Sequence, residues 1–389
     1  MATIITTTIT TTIKRSACRD AARAAAGLVG LILLAACTSP PLVPFSTQGP
    51  PLVLVPATQA GVVDQRARFR EIFCAVLEAR KESIEDYRPC DEALTRLGSE
   101  PSSGTTGRPV ELGASRRRLV AMVVPGVGYE CFEPWLQPPG TAQRHLAQFG
   151  YDLSLLKVDP LSGTARNARM IRDALMAMPA PEGSPRIVLV GYSKGTPDIL
   201  DALVTYPEIR GRVAAMVSVA GAVGGSPLAN DATQDQANLI RHFPGSSCDT
   251  GDNGAVEALR PQVRSAWLAQ NPTLPPQQMR YFSLVTLPQP ERVSLILRGS
   301  RNKLAQIDER NDSQVIFYDQ VVPGSGLLGY LNADHWAIAV PLNRTRAAIA
   351  ATVVTQNAYP REALIEAVLR FVEEEMPSGH VEPGGPAPK

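Results

Sequence analysis

The run Arg186-Ile187-Val188-Leu189-Val190-Gly191-Tyr192-Ser193-Lys194-Gly195 is an apolar, β-branched stretch that stops abruptly at Gly-x-Ser-x-Gly. Consecutive aliphatic residues from Ile187 to Val190 fit a strand buried on both faces. The segment after it, Thr196 to Val204, has proline near a helix start and apolar residues at helical spacing. Together these features predict a strand, a sharp turn and a helix, with Ser193 on the turn. A seryl hydroxyl becomes a useful nucleophile when a tight turn projects it toward a base, and flanking glycines remove the Cβ collisions such a turn creates. The five-residue pattern is weak by itself; the buried strand and the helix around it make it specific.

From Arg118 onward, apolar runs alternate with amphipathic stretches, which predicts parallel strands joined by helices. Strands are expected at Leu119 to Val124, Leu153 to Val158, Ile187 to Val190, Val213 to Val219, Arg280 to Leu287 and Leu327 to Leu331. Helices are expected at Thr141 to Phe149, Asn167 to Met178 and Arg361 to Glu375. A polar, proline-bearing stretch at about 227–278 follows the strand after the nucleophile helix and reads as a cap. No internal repeat is evident.

This succession resembles the α/β-hydrolase superfamily, and within it the bacterial lipases and esterases, over roughly Arg118 to Glu375. The resemblance implies an α/β fold with a mostly parallel central sheet flanked by helices and a cap insertion. It also implies a catalytic set in the chain order Ser, Asp, His. The segment from Pro51 to Pro109 departs from the family pattern, reading as more helical than the early strands usual there.

A base within hydrogen-bond reach of Ser193 is required, and the chain has four histidines. His145 falls inside a predicted helix, where a surface role is expected. His242 falls in the cap and His380 in the C-terminal tail. His335, in Asn332-Ala333-Asp334-His335-Trp336, follows the last apolar strand, the family's position for the base. The acid that orients it is expected between the last two strands, with Asp308, Asp312, Asp319 and Asp334 as candidates. Asn311-Asp312-Ser313-Gln314-Val315 resembles the lipases' Asn-Asp-Gly-x-Val segment, with serine in place of glycine, which favours Asp312. Asp334 adjoins the histidine and is expected to anchor the turn instead.

An oxyanion formed at the attacked carbonyl needs backbone N–H donors. Lys194, the residue after the nucleophile, is expected to supply one. Pro125-Gly126-Val127-Gly128-Tyr129 matches the family's His-Gly-x loop in position and is expected to supply the other at Val127, with Gly126 as the alternative. No closely spaced His, Cys and carboxylate set suggests a metal, and no Gly-rich phosphate loop stands out, so no cofactor is expected.

Four basic residues precede an apolar run from Ala24 to Ala36, as in a signal peptide, and thirteen residues are too few to span a bilayer. The run ends Leu34-Ala35-Ala36-Cys37, which resembles the lipobox of bacterial lipoproteins; that implies lipidation of Cys37 and a membrane anchor in the cell envelope. Thr38 after the cysteine resembles outer-membrane sorting, placing the protein on the periplasmic side. Residues 37–62 are proline-rich and read as a tether, 63–110 as a helical segment, 111–376 as the hydrolase domain and 377–389 as a disordered tail.

Removing residues 1–36 takes four basic residues and one acidic, leaving a formal charge near −2, which implies no nucleic-acid partner. Apart from Cys18 and Cys37, four cysteines remain: Cys74, Cys90, Cys131 and Cys248. In an exported chain an even number suggests disulfides, against the alternative of buried free thiols. Phe69 to Ala79 and Ile84 to Leu97 read as two short helices that a Cys74 to Cys90 bridge would pin, leaving Cys131 to pair with Cys248.

The expected activity is hydrolysis of carboxylic acyl esters, of small-molecule or lipid origin, through an acyl-enzyme. An acyltransferase or a thioesterase would use the same residues. A non-catalytic envelope lipoprotein keeping the scaffold for binding is the rival of a different class; the complete Ser, Asp, His order argues against it.

Overall fold

The computed structural model describes residues 61–98, 100, 106–129, 140–179, 186–232, 251–274, 279–344 and 354–376. The predicted serine strand is β5 (Ile187–Tyr192), buried at every position and flanked by β3 (Val120–Val124) and β6 (Val213–Val219). The remaining strands are β1 (Val63–Asp64), β2 (Leu94–Thr95), β4 (Asp152–Leu155), β7 (Arg280–Thr286) and β8 (Gly326–Leu331). They form one sheet of order β1-β8-β7-β6-β5-β3-β4, parallel throughout that path, with β2 antiparallel to β8.

Alternation along β5 sends side chains into two layers, since successive residues of a strand point to opposite faces. Val188 and Val190 enter one core with Phe69, Phe73 and Phe371; Leu189 enters the other with Ile171, Ile199 and Leu203. The first layer is made by α1 (Arg66–Arg80), α2 (Thr141–Ala147) and the C-terminal α6 (Arg361–Glu375), and the second by α3 (Thr164–Ala177) and α4 (Gly195–Thr205). In the first layer the ring of Phe371 meets that of Phe282 edge-on at 5.3 Å and that of Phe69 at 6.1 Å. Each buried side chain of this size contributes about 1.5–3 kcal/mol, so both helical layers are held by the strand that carries the serine.

The segment before Arg118 differs from its sequence reading. A helix does form at Arg66–Arg80, but Ile84 to Leu97 holds one helical turn, Cys90–Ala93, and then becomes β2. The main chain of Ala93 is claimed by β8's exit, accepting from the Asn332 N–H at 2.9 Å and from the Tyr359 hydroxyl at 2.9 Å. Pairing with Tyr330 and Leu331 overrides the local helical preference. Residues 63–64 likewise pair with β8, so the segment read as a helical appendage contributes two strands to the sheet.

A disulfide joins Cys74 on α1 to Cys90, with a Cα separation of 5.1 Å, as expected. Cys131 and Cys248 lie outside the described residues, as do Cys37, the signal region, the tether up to residue 60, His242 and the tail with His380. Of the predicted cap, the described part holds short helices at Leu228–Asp231 and Ala255–Ala258, and α5 (Pro261–Gln270). After β7, residues 288–307 form two 3₁₀ turns and a helix, Arg298–Leu304.

Candidate active site

β5 ends in a turn that no ordinary sequence tolerates. Ser193 has φ +54°, the left-handed region that costs a non-glycine residue energy. A Cβ on Gly191 would lie 2.7 Å from Cα of Thr196, and one on Gly195 would drive into the main chain of Val124 and Pro125. Both glycines of the motif are therefore required by backbone, not by flexible neighbours. The strained serine is fixed from three sides: its N–H donates to Val219 O at 3.2 Å, and its carbonyl accepts from Thr196 and Ala222, each at 3.1 Å.

His335 sits four residues beyond β8, on the loop that brings it over this turn. Its Nε2 is 2.8 Å from Ser193 Oγ and its Nδ1 is 2.7 Å from Asp312 Oδ2. An ionised carboxylate can only accept, so the Nδ1 proton faces Asp312 and the Nε2 lone pair faces the serine hydroxyl. His335 and Asp312 are buried, while Ser193 is partly exposed. Tyr192, the residue before the serine, donates its hydroxyl to the carbonyl of His335 at 2.8 Å. Full burial holds that phenol's pKa well above the usual tyrosine range, so it stays a donor.

Asp312 is saturated with donors. Its Oδ1 accepts from the backbone N–H groups of Gln314 (2.9 Å) and Val315 (2.7 Å), and its Oδ2 from the Thr286 hydroxyl and Gln320 Nε2 as well as His335. Neither Thr286 nor Gln320 was singled out in the sequence. Ser313, where the lipase segment has glycine, adopts φ +83°; serine here carries the conformation that glycine would adopt freely.

The other candidates go elsewhere. Asp308 pairs with Arg310 at 2.8 Å. Asp319 rests against Gly224, and burial pushes its carboxyl up to about 7. Asp334 anchors the loop as expected, accepting from the N–H groups of Ser294, Trp336 and Ala337. His145, expected at the surface, is buried, with Nε2 2.7 Å from Glu366 Oε2 and its ring edge-on to Phe149. The partner is 221 residues away, on α6, which no local pattern discloses.

The loop after β3 touches the serine directly: a Cβ on Gly126 would lie 2.8 Å from Ser193 Cβ and 3.3 Å from its Oγ. Among the described residues the backbone N–H groups of Val127 and Lys194 donate to no acceptor. Gly128, next in the loop, donates its N–H to Pro160 O at 3.3 Å. Lys194 has a second feature: its side chain is buried and its Nζ lies 2.7 and 2.8 Å from the carboxylate oxygens of Asp198. The i,i+4 spacing of Lys194 and Asp198 is the local sequence signal for this pair.

Beside the turn lies a cavity of about 580 Å³, within the usual range for small-molecule sites. Pro125, Tyr192, Val190, Leu153, Ile338 and Leu364 are among its largely apolar walls. Arg344 also lines it, closed off by ion pairs to Glu362 and to Asp86 at 2.7 Å. A hydroxyl aligned with an imidazole, itself aligned with a carboxylate, can lose its proton as it attacks a carbonyl.

The chain is similar to solved structures of ester-cleaving enzymes. It is 38% identical to the metagenomic carboxyl esterase MGS0156 over 85% of this chain and 98% of that one, with a TM-score of 0.76. It is 22% identical to the mature form of the Bacillus licheniformis lipase BlEst2, covering 59% of this chain and 89% of that one, with a TM-score of 0.47. For the Staphylococcus hyicus lipase the identity is 12%, the coverage 69% and 99%, and the TM-score 0.46. No family model and no curated protein sequence matches the chain.

Proposed function

Because the chain belongs to the carboxyl esterases of the α/β-hydrolase fold, we propose that it cleaves acyl esters with Ser193 as nucleophile, His335 as base and Asp312 as the orienting acid. Ser193 Oγ attacks the ester carbonyl as His335 Nε2 takes its proton, and the imidazolium then protonates the departing alkoxide. Water, deprotonated by the same nitrogen, releases the acid from the acyl-enzyme. The N–H groups of Val127 and Lys194 receive the oxyanion, each donor being worth about 3 kcal/mol of barrier. The acyl group enters the cavity beside Tyr192, whose walls match an aliphatic chain better than a polar one.

The observation that carries this reading is the continuous hydrogen-bonded line from Asp312 through His335 to Ser193. A fluorophosphonate probe tests it: the wild type is labelled and turns over p-nitrophenyl esters, and Ser193→Ala does neither. Equal labelling of that variant would discard Ser193 as the nucleophile.

The run Leu34-Ala35-Ala36-Cys37 supports a separate part of the proposal, that the enzyme is held by a lipid on Cys37 in the bacterial envelope, facing the periplasm from the outer membrane. Incorporation of labelled palmitate into the wild type but not into Cys37→Ser is the expected result; a labelled variant would remove the anchor from the proposal.

A further inference from the structure

The two oxyanion donors come from different strand ends, Val127 after β3 and Lys194 after β5, and no backbone hydrogen bond between those two residues fixes their separation. A buried polar network spans the gap. Lys194 Nζ donates to both carboxylate oxygens of Asp198, with the two side chains only 2% and 1% exposed. Asp198 Oδ2 also accepts from Asn167 Nδ2 on α3 at 2.8 Å. The Asn167 amide in turn clasps the main chain of Asp159, donating to its carbonyl and accepting from its N–H, each at 3.1 Å. The next carbonyl, that of Pro160, accepts the N–H of Gly128 in the Val127 loop.

A buried ion pair is a poor source of stability, because apolar side chains of the same volume would pack without the desolvation penalty. Such networks instead fix position when every member is satisfied. An oxyanion hole depends on donors held in place before the charge develops. We propose that Asn167 and Asp198, with the Lys194 side chain, are positioning residues that hold the Lys194 and Val127 N–H groups in register. This rests on the catalytic reading given above.

The test uses three variants of the full chain: Asn167→Ala, Asp198→Asn, and the apolar replacement Lys194→Met with Asp198→Leu. The expected result is a fall in kcat of about tenfold or more in each, with KM little changed, since loss of a whole donor costs 10²–10³. Affinity for a trifluoromethyl ketone, which mimics the oxyanion, falls by the same factor. The double variant keeps its melting temperature while losing kcat, which separates positioning from folding. Full kcat and ketone affinity in a folded double variant, or in Asn167→Ala, would overturn the inference. If Ser193→Ala were itself active, the catalytic reading would fail and the inference with it. An inactive Ser193→Ala beside a fully active Asn167→Ala would overturn the inference alone.

Discussion

Asp312 grips His335 twice: its carbonyl accepts the histidine's backbone N–H at 3.0 Å while its carboxylate takes the ring Nδ1 at 2.7 Å. The ring's place is thus set by main chain as well as by charge. Asp312→Asn should keep the fold and the backbone contact, but with its oxygen held by the Gln314 and Val315 N–H groups it turns a donating N–H₂ toward the ring where the carboxylate accepted. Loss of the correct tautomer is expected to lower kcat by about 10⁴, measured with a p-nitrophenyl ester against an unchanged melting temperature. Retention of even a tenth of the activity would remove Asp312 from its role.

Gly126 has no room for a methyl group on the side of the serine. Gly126→Ala is expected to push the Ser193 side chain or the Val127 loop out of place, lowering kcat about 100-fold, while costing about 1–3 kcal/mol of stability through overpacking. The rate of fluorophosphonate labelling checks this, and an unchanged rate would show that the loop yields.

Leu153 lines the cavity from β4. Leu153→Trp should fill it and shift preference toward short acyl chains, with acetate esters cleaved nearly as well as before and octanoate esters at least tenfold more slowly, about the effect of one or two displaced methylene contacts. A parallel loss on both esters would place the acyl chain elsewhere.

Asp319 supplies a pH-dependent expectation. Its carboxyl, raised to about 7 by burial from an ordinary 3.8, holds a proton in the folded state that the unfolded chain releases. Stability from this group therefore falls as pH climbs from about 4 to 7, and the penalty is complete above that window. Three pK units correspond to about 4 kcal/mol at full value, and partial solvent access reduces the expected effect to about 1–2 kcal/mol. Asp319→Asn should be more stable than the wild type at pH 8 and equal to it near pH 4, by urea denaturation at the two values.

Where the sequence was legible, it carried a period or a forced turn. The buried strand at Ile187, the helix Arg361–Glu375 and the glycines around Ser193 all follow from local steric demands, and the order Ser193, Asp312, His335 names three side chains that lie within hydrogen-bond distance, with His335 between the other two. The misreadings share a cause in distant partners. Two-residue strands at Val63 and Leu94 are too short to alternate and exist only because β8 is beside them. His145 is buried because Glu366 arrives on α6. Thr286 and Gln320 meet Asp312 through folding alone, so nothing near them in the chain announced that contact.

The short pairings along β8 also bear on how molecules of this enzyme meet. A bare strand margin offers its amide and carbonyl groups to any neighbour able to extend the sheet. Here two dipeptides seal that flank, one from each end, and the opposite margin, β4, is four residues long and starts with the exposed carboxylate of Asp152. Neither flank makes a good template for fibril growth, so a concentrated enzyme is guarded against sheet-to-sheet aggregation by brevity and charge.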